Sequence, residues 1–456
     1  MTPASAAVLL GEFASTAEPP AAARAAAARA FLDTVGVALA GAREPASRIA
    51  ARVAAAEGAG PCAILGAPCR ASASNAALAN GTAAHALDFD DMCFVSLAHP
   101  SAPLVAAALA AGEAAAATGR ALLDGYVVGF EIEGRLGRAM NPRHYQRGWH
   151  CTATLGTIGA AAAAARILGM DSSATAHALA IAASEASGVK ENFGTMVKPL
   201  HAGLAARNGI LAAQLARAGL IASLAAIDGP QGLLAAMDAE HAALDEPAAD
   251  LGRRWEILDT GITVKLYPSC AGTHPTLDAL LDLRREHGFS ADEVDAIEIG
   301  VDPIVPTILI HDHPSTGLEG KFSMPFCAAA AIAYGAVGVE TFTDRCLQDA
   351  SVRALQSRVR MHVDPSLDPS APALTQARVV VRLRDGRSLA AFANGARGYP
   401  AQPPSDGELA AKFSSCAAAV LDDDGVRAAL AALRDIEHAS DVRLVTPLLQ
   451  PRLGMA

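Results

Sequence analysis

His85-Ala-Leu-Asp-Phe-Asp-Asp-Met-Cys-Phe-Val-Ser-Leu-Ala-His99-Pro-Ser101 crowds three carboxylates and two imidazoles into a chain otherwise rich in alanine. Before it, Ser72 to Leu87 reads as an apolar helix; after it, His99-Pro100-Ser101 opens another that runs through Ala102 to Ala117. Asp88, Asp90 and Asp91 therefore fall on a helix-to-helix connection, which makes this part of the chain helical. A residue before proline is pushed out of the helical region, and proline suits a first helical turn. His99 is thus expected at a helix N-terminus, facing a cavity. The same residues also admit a plain structural reading, with acids solvating a loop and a histidine capping a helix.

A chain of 456 residues exceeds one ordinary core, so two domains are expected. The apolar share is 52% but aromatics are only 4%. Alanine favours helix while β-branched and aromatic residues favour strand, so the composition indicates a mainly α protein with closely approaching helices. The net charge of −11 argues against non-specific nucleic-acid binding, although a locally basic pocket can still take an acidic small molecule. The runs Ser101 to Ala117 and Ala160 to Ile167 are too alanine-rich and interrupted to supply the ~18 strongly apolar residues of a membrane span. The first residues lack the basic start of a secretory signal, so no membrane association and a cytoplasmic location are expected. Eight cysteines are scattered without a Cys-x-x-Cys pair, which supports neither a zinc site nor a disulfide framework.

Helices are expected from Ser5 to about Gly41, broken at Glu18-Pro-Pro20, and again from Pro45, followed by a short extended Cys62-Ala-Ile-Leu-Gly66. Ala121 to Met140 carries Tyr126, Glu131, Glu133, Arg135 and Arg138 at spacings suited to intrahelical pairs. A second polar cluster follows, Arg143-His-Tyr-Gln-Arg-Gly-Trp-His150. A short connection between bland helices has no structural need for such residues, so binding or catalysis is the better account. The third cluster, Lys190-Glu-Asn-Phe-Gly-Thr-Met-Val-Lys198-Pro-Leu-His201, leads into a helix from Leu204 to Ala218. With a helix start at Pro199, Lys198 and His201 can face one cavity from its first turn.

His241 to Gly252 reads as an acidic loop, and then the character changes. Val294 to Asp302 alternates like a strand with one buried face, and Ala377–Arg384 with Ser388–Phe392 forms a hairpin through Asp385-Gly386. Together with helices after His274 and Lys321, this makes an α+β domain of residues 265–398. The helical segment from Ser405 to about Leu433 returns to the first domain. No dinucleotide-binding or Walker sequence, no Gly-x-Ser-x-Gly elbow and no metal motif occurs, so no cofactor is expected. Asp88, Asp90, Asp91 and His99 are the set from which a divalent site would be built, but a second helical pair of ligands is missing.

These clusters, in this order, resemble the MmgE/PrpD family, which includes 2-methylcitrate dehydratase, cis-aconitate decarboxylase and iminodisuccinate epimerase. The marks are Gly81-Thr-Ala-Ala-His-Ala-Leu-Asp-Phe-Asp-Asp91 with His99-Pro-Ser, Gly148-Trp-His150, Asn192 to Gly203, Lys265-Leu-Tyr-Pro-Ser-Cys270 and Lys321-Phe-Ser323. The resemblance implies a large all-helical domain built from both chain ends (1–264 with 399–456) and a smaller α+β lid domain (265–398). It further implies a homodimer and a cofactor-free site in the cleft between the domains. Carried over residue by residue, it points to Asp88, His99, His150, Lys198 and Lys265. Cys270 and Phe326 replace a histidine and a tyrosine of the decarboxylase pattern, Met92 replaces a threonine, and Tyr145 and Pro268-Ser-Cys270 are closer to the epimerase branch.

All three reactions develop carbanion character beside a carboxylate. They require cations to hold carboxylates and a group that moves a proton. His99, His150, Lys198, Asp88 and Tyr145 are the expected catalytic set; Lys265, His201, Cys270 and Lys321 are the expected substrate-binding set. The chemistry expected is that of a lyase, dehydratase-like, on a small di- or tricarboxylate. Epimerisation is the alternative, and non-catalytic carboxylate binding the third reading.

Overall fold

In a computed structural model of the chain, residues 5–237, 249–372 and 374–451 are described. The acidic stretch expected from His241 lies, as far as residue 248, outside them, as do the first four residues. The chain divides into two compact units, one of Met1–Glu191, Met196–Thr263 and Ser405–Ala456, the other of Asn192–Thr195 and Val264–Pro404.

The first unit is helical. Its helices are α1 (Ala6–Thr16), α2 (Ala21–Gly41), α3 (Pro45–Ala56), α4 (Ala73–His85), α5 (Ser101–Ala115), α6 (Gly119–Met140), α7 (Arg143–Gln146), α8 (Cys151–Ile167), α9 (Ser172–Glu185) and α10 (Val197–Arg217). Side-chain caps mark several starts, with Ser72, Thr118 and Asp171 accepting from Asn75, Ala121 and Ala174 N–H groups. Alanine allows the close packing that the composition predicts. A Cβ on Gly203 of α10 would lie 2.3 Å from the Leu78 carbonyl oxygen of α4, and one on Gly81 of α4 would lie 2.9 Å from the Ala202 carbonyl oxygen. Helix α4 thus rests almost backbone to backbone on α10. The helix Asp406–Ala417 packs on α2, where Phe413 faces Gly36. A two-stranded ribbon, β1 (Cys62–Ala63) with β2 (Arg70–Ala71), precedes α4.

Two local expectations change. Helix α10 starts at Val197, two residues before Pro199. First-turn N–H groups have no intrahelical partner, so a proline there forfeits no hydrogen bond. The charges of α6 also pair less locally than their spacing predicts. Glu131 meets Arg135 at 2.6 Å, but Arg138 turns to Glu256 and Arg135 also to Asp250. Glu133 lies fully buried with no hydrogen bond to its carboxylate among the described residues.

The second unit holds a four-stranded sheet in the order β4-β3-β5-β6, with β3 (Val294–Val301), β4 (Val359–Val363), β5 (Gln376–Leu383) and β6 (Ser388–Asn394). Strand β3 runs parallel to β4 and antiparallel to β5; the β5–β6 hairpin turns at Gly386, whose φ of 92° suits glycine. Helices His274–His287 and Met324–Tyr334 pack on this sheet. Phe326 is part of that core, 5.9 Å from the Phe342 ring. No single helix among the described residues is long and apolar enough to cross a membrane.

Candidate active site

The connection between α4 and α5 is held residue by residue. Asp88 has φ 52°, in the left-handed region that Asp tolerates better than most residues, and this turns the chain sharply at the end of α4. Its Oδ1 accepts from the Lys198 ammonium at 2.5 Å. The Phe89 carbonyl accepts from Lys412 at 2.9 Å; Lys412, on the C-terminal Asp406–Ala417 helix, also pairs with buried Asp33 at 2.7 Å. Asp90 Oδ2 meets His85 Nδ1 at 2.8 Å and His99 Nδ1 at 3.5 Å. Asp91 accepts from the Ser101 N–H at 3.2 Å and from its hydroxyl. A bridge between Cys93 and Ala98 folds the loop back, so that His99 returns to the acids, with its own N–H donating to Thr152 of α8.

Lys198, in the first turn of α10, reaches His85 Nε2 at 2.9 Å as well as Asp88. His150 stands at the N-cap of α8, its N–H donating to the Gly188 carbonyl. Its Nδ1 lies 3.0 Å from His201 Nδ1, so these two rings share one proton between those nitrogens. The His85 ring is 4.5 Å from His99 and 5.7 Å from His150, centroid to centroid. Asp88, His99, His150, Lys198 and His201 of the expected set thus form one cluster, completed by His85 and Asp90. Tyr145 sits on α7 beneath the Lys190 ammonium, 3.8 Å from its ring centroid. Lys265, Cys270 and Lys321 belong to the second unit. There the Lys321 ammonium donates to the Pro268 carbonyl at 3.0 Å, the Cys270 N–H donates to the Lys321 carbonyl, and Lys265 is fully buried.

Burial sets the protonation states. It pushes His85 and His201 down to about 4 and His150 well below the ordinary imidazole value, Lys198 adding to the effect. These rings are neutral at pH 7. Burial would raise Asp90, but His85 and His99 outweigh it and hold the carboxyl below its ordinary value. Asp91 goes the other way, pushed up to about 8 by burial.

Asp91 carries a stability prediction. Folded, it keeps its proton to about pH 8; unfolded, it releases it near 3.8. The stability it contributes is complete below about pH 4 and lost as pH rises to about 8. An asparagine side chain cannot ionise, so Asp91→Asn is expected to flatten the fall in melting temperature between about pH 7 and 8 relative to the parent, while the unfolded histidines, still titrating there, act alike in both proteins. Thermal unfolding of both proteins across that range tests this; parallel curves would refute it.

His85, Asp88, Asp90 and His99 each offer a ligand atom within 4.8 Å of the others. The set differs from the sequence-predicted one, since Asp91 turns to Ser101 and His85 takes its place. The positive charge among these atoms is the Lys198 ammonium, which already engages Asp88 and His85. A divalent ion would have to displace it, so the arrangement fits an ammonium.

The MmgE/PrpD N-terminal domain description matches residues 11–243, and the MmgE/PrpD C-terminal domain description matches residues 267–438. The chain belongs to the MmgE/PrpD family. Among its relatives are the cis-aconitate decarboxylase of Mus musculus, 28% identical over 82% of this chain and 78% of that protein, and that of Homo sapiens, 29% identical over 82% and 79%. A cis-aconitate decarboxylase-like protein of Aspergillus oryzae is 28% identical over 93% of this chain and 92% of its own length.

Proposed function

We propose that the chain is a lyase acting on a small di- or tricarboxylate through a carbanion stabilised beside a carboxylate. The observation that carries this reading is the buried cluster in which one ammonium, Lys198, stands among neutral imidazoles and an ionised acid. Lys198 holds a substrate carboxylate and absorbs developing charge; its setting out of water strengthens that interaction. His150 is neutral, and with Nδ1 turned to His201 its Nε2 is the atom that exchanges a proton with substrate. His99, the more accessible ring, serves the opposite transfer, oriented by Asp88 and Asp90. Tyr145 of α7, beneath the Lys190 ammonium, adds a phenol to the same helical unit.

Dehydration uses this set as base and acid. A base takes the proton beside the carboxylate, and an acid protonates the leaving hydroxyl. Decarboxylation, named in the relatives, leaves the electron pair on carbon as CO2 departs, and the acid then delivers one proton there. Proton NMR in D2O with 2-methylcitrate, citrate, cis-aconitate, tartrate and iminodisuccinate tests the reading. Loss of the parent acid's C–H signals marks dehydration when an unsaturated product grows in, seen as a vinyl proton from citrate and as an allylic methyl from 2-methylcitrate, or when a 2-oxo acid grows in from tartrate; loss of cis-aconitate signals with release of CO2 marks decarboxylation. Deuterium entering Cα without a new product would replace the lyase reading with epimerisation. If no compound changes while His150→Ala keeps ligand-induced thermal stabilisation, the chain is a carboxylate-binding protein instead.

A further inference from the structure

We infer that Asp90 and His85 form a positioning pair that fixes the orientation of the Lys198 ammonium, so that Lys198 meets a substrate carboxylate with one N–H aimed in a set direction. The inference rests on the role of Lys198 just proposed and adds two residues to it.

The direction of the Lys198 ammonium depends on which ring nitrogen of His85 carries the proton. Both nitrogens are engaged, Nδ1 with Asp90 Oδ2 at 2.8 Å and Nε2 with Lys198 Nζ at 2.9 Å. An ionised carboxylate only accepts and an ammonium only donates. A neutral ring between them has a single arrangement in which both contacts are hydrogen bonds. Nδ1–H donates to Asp90, and the Nε2 lone pair accepts from Lys198. Burial keeps the ring neutral, and an Nδ1–H donated to Asp90 at 2.8 Å favours the ionised carboxylate, which agrees with this assignment. His85 has no exposed edge, being 1% accessible at the end of α4, so the ring does not rotate out of the line.

The consequence falls on Lys198. A lysine ammonium on a four-carbon stem is ordinarily a rotating point charge. Here one N–H is committed to His85 and a second to Asp88 at 2.5 Å. Two fixed bonds of a tetrahedral nitrogen determine the third. The donor is therefore aligned before substrate arrives, and an aligned donor costs no reorganisation at the moment charge develops. Asp90 acts twice removed from the substrate, by selecting the tautomer that lets His85 accept. An asparagine there can instead donate to Nδ1, which moves the ring proton to Nε2 and sets donor against donor at Lys198.

Neutron diffraction from deuterium-exchanged crystals of the full chain tests the assignment without any substrate or variant. The expected map has a deuteron on His85 Nδ1, none on Nε2, and a Lys198 N–D bond aligned with Nε2. A deuteron on Nε2 would overturn the inference. Asp90→Asn supplies the second measurement. With whichever acid the NMR panel identifies, its kcat is expected to fall about 100-fold, the usual cost of a displaced catalytic group. The same variant is expected to show the ring proton moved to Nε2 by long-range 15N spectra of histidine-labelled protein. An unchanged kcat would remove the positioning role even with the expected tautomer. If Asp90→Asn does not fold, the wild-type deuteron map decides alone. Should no acid turn over, the lyase reading fails, while the map still confirms or refutes the orientation of Lys198.

Discussion

Lys198→Met is expected to lower turnover about a thousandfold, the upper range for losing one preorganised electrostatic group. It is also expected to cost about 3–5 kcal/mol of stability, because removing one partner of a buried ion pair leaves the other charge in a poor solvent. Asp88 is 3% accessible and Lys198 is 4%, so neither charge has bulk water to fall back on. The methionine keeps the stem's volume and flexibility, so the loss is chiefly of charge and hydrogen bonding. The two effects are separable. Asp88→Asn in the same chain removes the stranded carboxylate and is expected to restore most of the stability without restoring turnover. Denaturant midpoints and initial rates on the three proteins give the answer. Near-native turnover by Lys198→Met would take the lysine out of the chemistry, and stability unrestored in the double variant would mean that the pair is not what the buried lysine stabilises.

How much of this is legible in the sequence follows from where each signal lies in the chain. Asp88, His99, His150 and Lys198 stand in polar clusters at helix ends, where such residues have no packing reason to be, so local reading finds them. His85 and Asp90 are harder. His85 stands out from the alanine-rich helix that it closes, but nothing local assigns it a role, and Asp90 is one of three nearby acids with nothing local to rank them. Only the left-handed turn at Asp88 distinguishes them, sending Asp90 to the imidazoles and Asp91 to Ser101. Lys412 is out of reach, a lysine in an ordinary amphipathic helix more than 300 positions from the Phe89 carbonyl it supports. Strand β4 escapes local reading for a related reason. Val359-Arg-Met-His-Val363 is short and mostly exposed, and its parallel pairing with β3 is a non-local fact that no turn signal announces.

The alanine and glycine content, which reads at first as mere helix propensity, also sets the spacing on which the site depends. Gly203→Val is expected to destabilise the protein by about 3 kcal/mol or more and to abolish turnover although Gly203 carries no functional group. A Cβ there would meet the Leu78 carbonyl oxygen and Thr82 Oγ1, both at 2.3 Å, and a backbone oxygen inside a helix cannot step aside. Helices α4 and α10 would have to part. His85 ends the first and Lys198 begins the second, so their 2.9 Å contact depends on that packing. The effect should be graded: Gly81→Ala, whose Cβ would lie 2.9 Å from the Ala202 carbonyl, is expected to cost less than Gly203→Ala. Gly407→Ala provides the opposite sign. It lies in an exposed first turn with only Ser405 Oγ at 3.9 Å, so replacing glycine by alanine there is expected to add about 0.5–1 kcal/mol. Denaturant unfolding of the four variants orders them. A Gly203→Val protein as stable as the parent would mean that α4 and α10 can separate freely, and the line from Asp90 through His85 to Lys198 would then lack the rigid support it requires.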